Sequence, residues 1–243
     1  MIHGNDWFIV GTLVLVIICI MSLQLELSIA TLMSGHSLGQ KTSRRRLNQM
    51  LNQFTVGYVL IAWLLFSAIC LVVSNLDFVF YQWLDDGKLW LALAILLTIQ
   101  VILLIVAQIR QPKSPHPWLF KDMRTFLTSR ATKTKSPAEA FSLGVTSLLA
   151  GLGVLAVPLG VAATTTIWYL PSYLLITLTI LFSLVAGLPL VVMQLFVLND
   201  TPISEIQRFT IKNRRFFQIV RIISLLLLTG LIISLLTTPE FSL

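Results

Sequence analysis

Long apolar runs alternate with short polar segments along this chain, and the runs are long enough to cross a membrane as helices. The hydrocarbon core of a bilayer requires about 20 predominantly apolar residues in a helix. Six runs meet this requirement: residues 7–33, 54–75, 89–109, 140–166, 172–198 and 216–237. The pattern predicts an all-α membrane protein with six transmembrane helices, in which residues 1–243 form a single transmembrane bundle.

The composition supports the same class. Hydrophobic residues make up 56% of the chain and charged residues only 11%, whereas soluble domains carry about 25% charged residues. The first residues, MIHGNDW, lack the basic region and the small-residue cleavage site of a signal peptide. We therefore expect the first helix to be retained, in a multi-pass protein of the cell membrane, specifically a bacterial inner membrane.

Basic residues between the runs predict the orientation. Segments 34–53, 110–139 and 199–215 together carry fifteen Lys and Arg residues, whereas the alternate segments carry only Lys88. Because positively charged loops stay in the cytoplasm, both termini are expected outside. This asymmetry explains the formal net charge of +7. The charge therefore predicts anionic lipids as partners at the cytoplasmic face and not nucleic acid.

The same basic segments have apolar residues at helical spacing, in 43–54, 118–130 and 201–215. Each could be an interfacial helix lying on anionic headgroups, or a cytoplasmic extension of the adjoining transmembrane helix. For 118–130 the interfacial helix is favoured, because three prolines between residues 112 and 117 separate it from the third run. For the other two segments both alternatives stay open.

The fourth and fifth runs contain helix breakers. Residues 136–139 (Ser-Pro-Ala-Glu) have the spacing of a capping box and predict the start of the fourth helix. Pro158 is expected to kink that helix, and Gly187 and Pro189 repeat the pattern in the fifth. Four small residues of the fourth run should let neighbouring backbones approach closely: Gly144, Gly151, Gly153 and Gly160. Such interruptions in two halves point to a transport site, and ordinary helix packing is the alternative.

The two halves of the chain are expected to form a 3+3 inverted repeat. Residues 1–109 contain three helices that begin outside, residues 140–243 contain three that begin inside, and the basic connector 110–139 with its amphipathic helix joins them. Aligning residues 22–23 with residues 147–148 pairs polar residues of the first helix with glycines of the fourth: Glu26 with Gly151 and Ser28 with Gly153.

This layout resembles that of the LysE/DsbD superfamily of six-helix membrane proteins. The basic segment GHSLGQKTSRRRL after the first helix and the glycine- and proline-rich fourth helix are similar to those of the family, and three stretches of the second half look like its uncharacterised members: 187–190, 203–209 and 212–216. The resemblance implies the 3+3 fold, together with export of amino acids or ions, or transmembrane thiol redox chemistry.

Two departures weaken parts of what the resemblance implies. The redox branch has one cysteine in the first helix and one in the fourth, whereas Cys19 and Cys70 fall in the first and second. The metal-linked branches carry paired Asp, Asp-Asn or His-rich signatures, whereas Leu-Ser-Ile-Ala follows Glu26. No cofactor or metal is therefore expected.

Two charged residues lie inside apolar runs. Glu26 interrupts the first run, where a carboxylate costs about 2.5–3.5 kcal/mol and is by default a functional candidate. Arg221 lies five residues into the sixth run, at a matching depth from the cytoplasmic side. Either Glu26 and Arg221 form a structural ion pair, with snorkelling as the alternative for Arg221, or Glu26 couples transport to protons or cations. Gln100 and Gln194 also need partners in lipid, along a solute path or between helices.

The sequence therefore predicts a secondary transporter or exporter of a small solute or ion, and not an enzyme. Its solute- or ion-binding residues would be Glu26, Gln24, Ser28, Gly151, Gly153 and Pro158, between the first and fourth helices. A second hypothesis is a non-catalytic membrane subunit that binds lipid or protein partners, including further copies in a homo- or hetero-oligomer. A third is a thiol-redox carrier that uses Cys19 and Cys70.

Overall fold

The computed structural model of this protein is all-helical. It describes residues 6–33, 44–75, 88–110, 121–134, 136–199, 205, 208–209 and 212–237, and all structural statements refer to these residues. The helices are α1 (Asp6–Met33), α2 (Arg44–Asn75), α3 (Lys88–Arg110), α4 (Lys121–Lys133), α5 (Pro137–Ala150), α6 (Leu152–Tyr169), α7 (Ser172–Leu198) and α8 (Arg214–Leu236).

The predicted all-α membrane architecture is confirmed at the level of helix length and composition. Five helices are long and apolar enough to cross a membrane: α1, α2, α3, α7 and α8. The pair α5–α6 passes the same test only when taken together, with a bend of 74° between its members. The described residues therefore contain five candidate spans, or six if the bent pair is one span.

The bend of the fourth predicted span lies at Gly151, not at Pro158. The N–H of Gly151 donates to the carbonyl of Leu148 at 2.9 Å, which ends α5 in a tight turn. A Cβ on Gly151 would lie 2.7 Å from Cδ2 of Leu23, so the missing side chain leaves room for α1 at the bend. Pro158 lies inside the continuous helix α6.

The start of α5 matches the capping-box prediction. The N–H of Glu139 donates to Oγ of Ser136 at 3.3 Å, and the N–H of Ser136 donates to Oε2 of Glu139 at 3.1 Å. Pro137 occupies the first helical position, where its missing N–H has no consequence.

The basic segments between the apolar runs differ in how they are built. Helix α2 runs unbroken from Arg44 into the second span, so residues 44–54 extend that span. Helix α4 is a separate helix that contacts α1 and α5 and buries Leu127 and Ala131. Residues 118–120 and most of 201–213 lie outside the described residues, so the third segment is not decided.

Glycines bring α2 and α5 into backbone contact. A Cβ on Gly144 would meet the carbonyl of Phe54, and a Cβ on Gly57 would meet the carbonyl of Phe141. Gly153 and Gly160 behave differently from the prediction, because no atom lies within 4 Å of a Cβ built on either. Close packing therefore depends on glycine at the α2–α5 crossing and not along the whole fourth span.

Two groups of contacts mark the ends of the bundle. At one end, Phe8 packs edge to face against Trp90 at 5.8 Å and against Tyr169 at 5.7 Å between ring centroids. This places the beginnings of α1 and α3 beside the end of α6. At the other end, Nε2 of Gln194 in α7 donates to Oδ1 of Asn48 in α2 at 3.0 Å. Gln194 therefore bonds between helices.

The α2–α5 crossing can be tested with a pair of glycine substitutions. Gly144→Ala adds a methyl group against the backbone of Phe54, so we expect it to lower the free energy of unfolding in detergent by about 1–3 kcal/mol. Gly160→Ala is the matched control, because it adds the same group to a helix position that has no neighbour. Equal effects of both substitutions in thermal unfolding would contradict this account of the crossing.

Candidate functional site

Helices α1 and α8 pack against each other, and both bury polar side chains. Each of these side chains is at most 7% exposed. We call this set the polar seam: Thr12, Ser22 and Gln24 from α1, and Gln218, Arg221, Ser224 and Thr229 from α8. Apolar residues dominate both helices elsewhere, so the seam residues are polar groups inside an apolar bundle.

Two contacts fix the register of α1 against α8. A Cβ on Gly11 would lie 3.0 Å from Cδ1 of Leu231, and Cys19 lies within electrostatic range of Arg221. Residue numbers rise along α1 as they fall along α8, so the helices are antiparallel. At 1.5 Å rise per residue in both helices, Gln24 lies level with Gln218.

Arg221 is buried inside the bundle. Its side chain is 2% exposed, although it lies only seven residues from the beginning of α8, or about 10 Å along the helix. It therefore does not extend to the bundle surface, and the snorkelling alternative is wrong for the structure described here. Cys19 in turn lies within electrostatic range of the buried Tyr58. Arg221 thus lies in the interior of the bundle near α1.

Gln24 is the polar group of the seam with unused bonding capacity. Its side chain is 1% exposed, and within the described residues neither Oε1 nor Nε2 has a hydrogen-bond partner. Leaving a buried polar group unsatisfied costs about 1–3 kcal/mol. A buried polar group without a partner needs an explanation, and one explanation is that it binds a ligand.

Three hydroxyl groups of the seam bond to their own helices. Oγ of Ser22 donates to the carbonyl of Cys19 at 2.8 Å, and Oγ of Ser224 donates to that of Arg221 at 2.9 Å. Oγ1 of Thr229 donates to the carbonyl of Leu225 at 2.8 Å. These protons are in use, whereas the amide of Gln24 and Oγ1 of Thr12 have no hydrogen-bond partner among the described residues.

Polar residues of α8 also form a stripe that leads from the beginning of this helix to Arg221. Arg214, Gln218 and Arg221 are spaced by four and three residues and share one helix face. The Nε atom of Arg214 is buried, as are the side chains of Gln218 and Arg221. The stripe carries positive charge inward over about 10 Å.

The residues predicted to bind solute are distributed differently. Gln24 lies in the seam, and Gly151 packs against the neighbouring Leu23. Gly153 is exposed, on the far side of the bend from α5. Glu26 and Ser28 belong to α1, but their side chains lie outside the described residues. The predicted pair of Glu26 with Arg221 therefore stays a prediction.

Pro158 has a structural partner in α3. A proline has no N–H to donate, so Pro158 leaves the carbonyl of Val154, four residues earlier, without its helical bond. Nε2 of Gln100 donates to this carbonyl from α3. Gln100 thus bonds between helices, and its bond accounts for the continuity of α6 through the proline.

The two cysteines lie far apart along the bundle. Cys19 is near Tyr58 of α2, whereas Cys70 lies twelve residues further along that helix, or about 18 Å. Both thiols are free and buried. A disulfide needs Cα atoms within about 7 Å, so direct exchange between the two would require a large movement.

Sequence reasoning found the charges of this site but not the seam. Gln218, Ser224 and Thr229 were not singled out, although the spacing of Gln218 from Arg221 places them on one helix face. The face of α8 that meets α1 depends on packing between the ends of the chain, and no local pattern reports it.

A double-mutant cycle tests the bond to the proline-freed carbonyl. Gln100→Leu should lower the free energy of unfolding by about 1–3 kcal/mol, because the Val154 carbonyl is then buried without a partner. In a Pro158→Ala background the loss should be smaller, since the restored N–H can bond that carbonyl. Thr98→Val on the exposed side of α3 is the control, with an expected change within about 0.5 kcal/mol. An equal loss in both backgrounds would show that Gln100 does not act through Val154.

Comparisons with known proteins add no assignment to this geometry. No protein-family model, no curated protein and no solved structure matches the chain. The resemblance to the LysE/DsbD superfamily thus stays a prediction from the sequence features alone. The function has to be inferred from the polar seam and its surroundings.

Proposed function

We propose that this protein is a secondary transporter or exporter of a small solute in the cell membrane, and that the solute moves along the polar seam. The observation that carries the proposal is the burial of Arg221 and Gln24 together inside an apolar helical bundle. Ionisable residues within transmembrane segments mark substrate and ion pathways, since they are costly to keep there. The apolar helices themselves support a multi-pass membrane protein.

The broken helix beside the seam supports the same function. The bend at Gly151 packs against Leu23, the residue before Gln24. Discontinuous helices near a buried polar site are typical of secondary transporters, in which segments rearrange about a fixed binding site. We propose that α5 moves relative to α6 at this bend and exposes the cytoplasmic end of the seam, within an alternating rearrangement of two inverted halves.

A six-span topology with both termini outside fits the contacts at the ends of the bundle. Helix α6 meets α1 at Leu23 near its beginning and at Phe8 near its end, so it runs antiparallel to α1 across most of the bundle. The chain then enters α7 at the end opposite the basic segments. In this arrangement the bent pair counts as one span.

Sidedness of labelling tests this topology. In a variant with Cys19→Ser and Cys70→Ser, a new cysteine at the exposed Lys133 should react with a membrane-impermeant maleimide only in inside-out vesicles. A cysteine at Tyr173, which is 78% exposed, should react only in right-side-out vesicles. Reaction of both from the same side would mean that the bent pair returns to the side from which it entered.

Accessibility of Cys19 tests transport without knowledge of the solute. Cys19 is buried next to the seam, so rearrangement about the seam should expose it transiently to water. We expect Cys19 in the Cys70→Ser protein to react with a membrane-impermeant thiol reagent in inside-out vesicles.

The control is the Cys19→Ser protein, whose Cys70 lies in α2 away from the seam. A seam that never opens leaves Cys19 unreacted in the folded protein while the unfolded protein reacts fully. That outcome would contradict the transport function.

A second candidate function is favoured by a groove on the outside of the bundle. The groove lies between α2 and α7, encloses about 470 Å³ and is lined almost entirely by apolar atoms, including Val56, Leu60 and Leu184. A membrane subunit without transport activity could use such a surface toward an apolar partner. A Cys19 that does not react with the thiol reagent in the folded protein would favour the membrane subunit.

A further inference from the structure

We propose that a basic pocket between α4 and the beginning of α5 binds the phosphate headgroup of an anionic membrane lipid. Six residues line this basic pocket: Phe126, Ser129, Arg130, Lys133, Thr134 and Glu139. The pocket lies outside the polar seam, so this inference goes beyond solute transport and does not depend on it.

The pocket forms where the short helix α4 meets the first half of the bent pair. Helix α4 buries Leu127 and Ala131 and contacts α1 and α5. Phe126, Arg130 and Lys133 are spaced by four and three residues, so they form a second stripe along α4. The cavity between this stripe and the beginning of α5 encloses about 360 Å³. This volume lies in the range of about 300–1,000 Å³ that is typical of small-ligand sites.

Two contacts orient the guanidinium of Arg130 in the pocket. Its Cζ lies 5.3 Å from the centroid of the Phe126 ring, and its Nη1 donates to Oγ of Ser142 in α5 at 3.4 Å. Both partners are uncharged, so they leave the positive charge in place. A guanidinium has five N–H donors in a planar fork, which matches the oxygens of a phosphate. The bond to Ser142 uses one of these donors.

The lining of the pocket has an excess of positive charge. Lys133 is exposed, and within the described part of the chain neither it nor Arg130 forms an ion pair. Glu139 is the one carboxylate among the six lining residues, and its Oε2 accepts the N–H of Ser136 at 3.1 Å. Two cations against one carboxylate leave one positive charge. The surrounding sequence adds to it, since residues 121–139 contain five basic and two acidic residues.

The hydroxyl groups of the pocket already donate within their own segment. Oγ of Ser129 donates to the carbonyl of Phe126 at 2.9 Å, and Oγ1 of Thr134 donates to the carbonyl of Arg130 at 2.8 Å. The guanidinium of Arg130 and the ammonium of Lys133 are therefore the main donors for a ligand. Donors of this kind favour a phosphate over a neutral polyol or sugar.

The surroundings of the two cations favour a lipid over a free phosphate. The ring of Phe126 is 43% exposed beside Arg130, and α4 directly precedes a pair of helices that together are apolar enough to cross a membrane. An interfacial helix places apolar side chains at the acyl boundary and basic ones on the headgroups. Basic pockets between membrane helices bind the headgroups of anionic lipids. A lipid can contact both the ring and the cations, whereas a free phosphate uses only the cations.

Lipid binding to the purified full-length protein tests this inference. The protein is titrated in a neutral maltoside detergent with dioctanoylphosphatidylglycerol, and the bound lipid is counted by native mass spectrometry. Dioctanoylphosphatidylcholine has the same chains without the net charge, and inorganic phosphate represents the free anion. We expect the phosphatidylglycerol to saturate a site with an affinity about fivefold or more above that of the phosphatidylcholine. Inorganic phosphate should compete only at concentrations well above those of the lipid.

Charge variants assign the binding to the pocket. Arg130→Gln together with Lys133→Gln should weaken phosphatidylglycerol binding by about tenfold or more, because each cation near a headgroup contributes about fivefold. Arg208→Gln together with Lys212→Gln removes the same charge from exposed positions outside the pocket and should leave the affinity unchanged. If the double pocket variant does not fold, Lys133→Gln alone, at an exposed side chain, should still weaken binding by about fivefold.

Three results would overturn the lipid site. Equal affinity for the two lipids would show that the charge of the pocket is not used. Equal losses in the pocket variant and in the control would show that the lipid binds elsewhere. Binding of inorganic phosphate as tight as that of the phosphatidylglycerol would assign the pocket to a free phosphate. None of these results bears on the reactivity of Cys19, so the transport function is tested separately.

Discussion

A guanidinium group inside a hydrocarbon layer is the constraint around which this bundle is arranged. Placing a cation at the centre of a transmembrane helix costs about 2.5–3.5 kcal/mol on insertion scales, and the group must be surrounded by polar atoms. Arg221 belongs to α8, which packs antiparallel to α1, and both helices bury amide and hydroxyl side chains. The seam closes the bundle by joining the two ends of the sequence.

A hydrogen bond from a neighbouring helix replaces the backbone bond that Pro158 removes. The lipid interior offers no water to a freed carbonyl, so a proline in a membrane helix needs a neighbour with a donor. Gln100 supplies it at Val154, and α6 continues through Pro158. At Gly151 no such repair occurs, and the chain turns by 74° beside α1. The bundle thus contains one proline, Pro158, whose lost backbone bond is replaced by a side chain, and one glycine, Gly151, at which the chain bends.

The sequence predicted the membrane class and the capping box at Ser136, because these depend on local composition and spacing. Of its six predicted spans, five are single helices long enough to cross, and the fourth is a bent pair. It placed the bend of the fourth span at Pro158 and not at Gly151, because proline is the stronger local helix breaker. The sequence does not show that Gln100 lies opposite the proline. It identified Gln24 and Arg221 singly. Their membership in one seam depends on the register of helices about 200 residues apart, which only packing determines. The extent of α2 was also open, since its first turns are too polar to be counted as a span.

Helix α5 contacts α2 at its middle, through Gly144, and α1 at its end, through Gly151. Gly144, where α5 crosses α2, lies seven residues from Pro137 at one end and seven from the Gly151 joint at the other. The segments of α5 on the two sides of Gly144 are therefore equally long, at about 10 Å each. A displacement of α1 that pushes Leu23 against Gly151 would move that end of α5. If α5 pivots at its contact with α2, its other end would move by a similar distance in the opposite direction. Because α4 packs against α5, such a swing of α5 would also displace α4, which carries the basic residues Lys121, Arg124, Arg130 and Lys133.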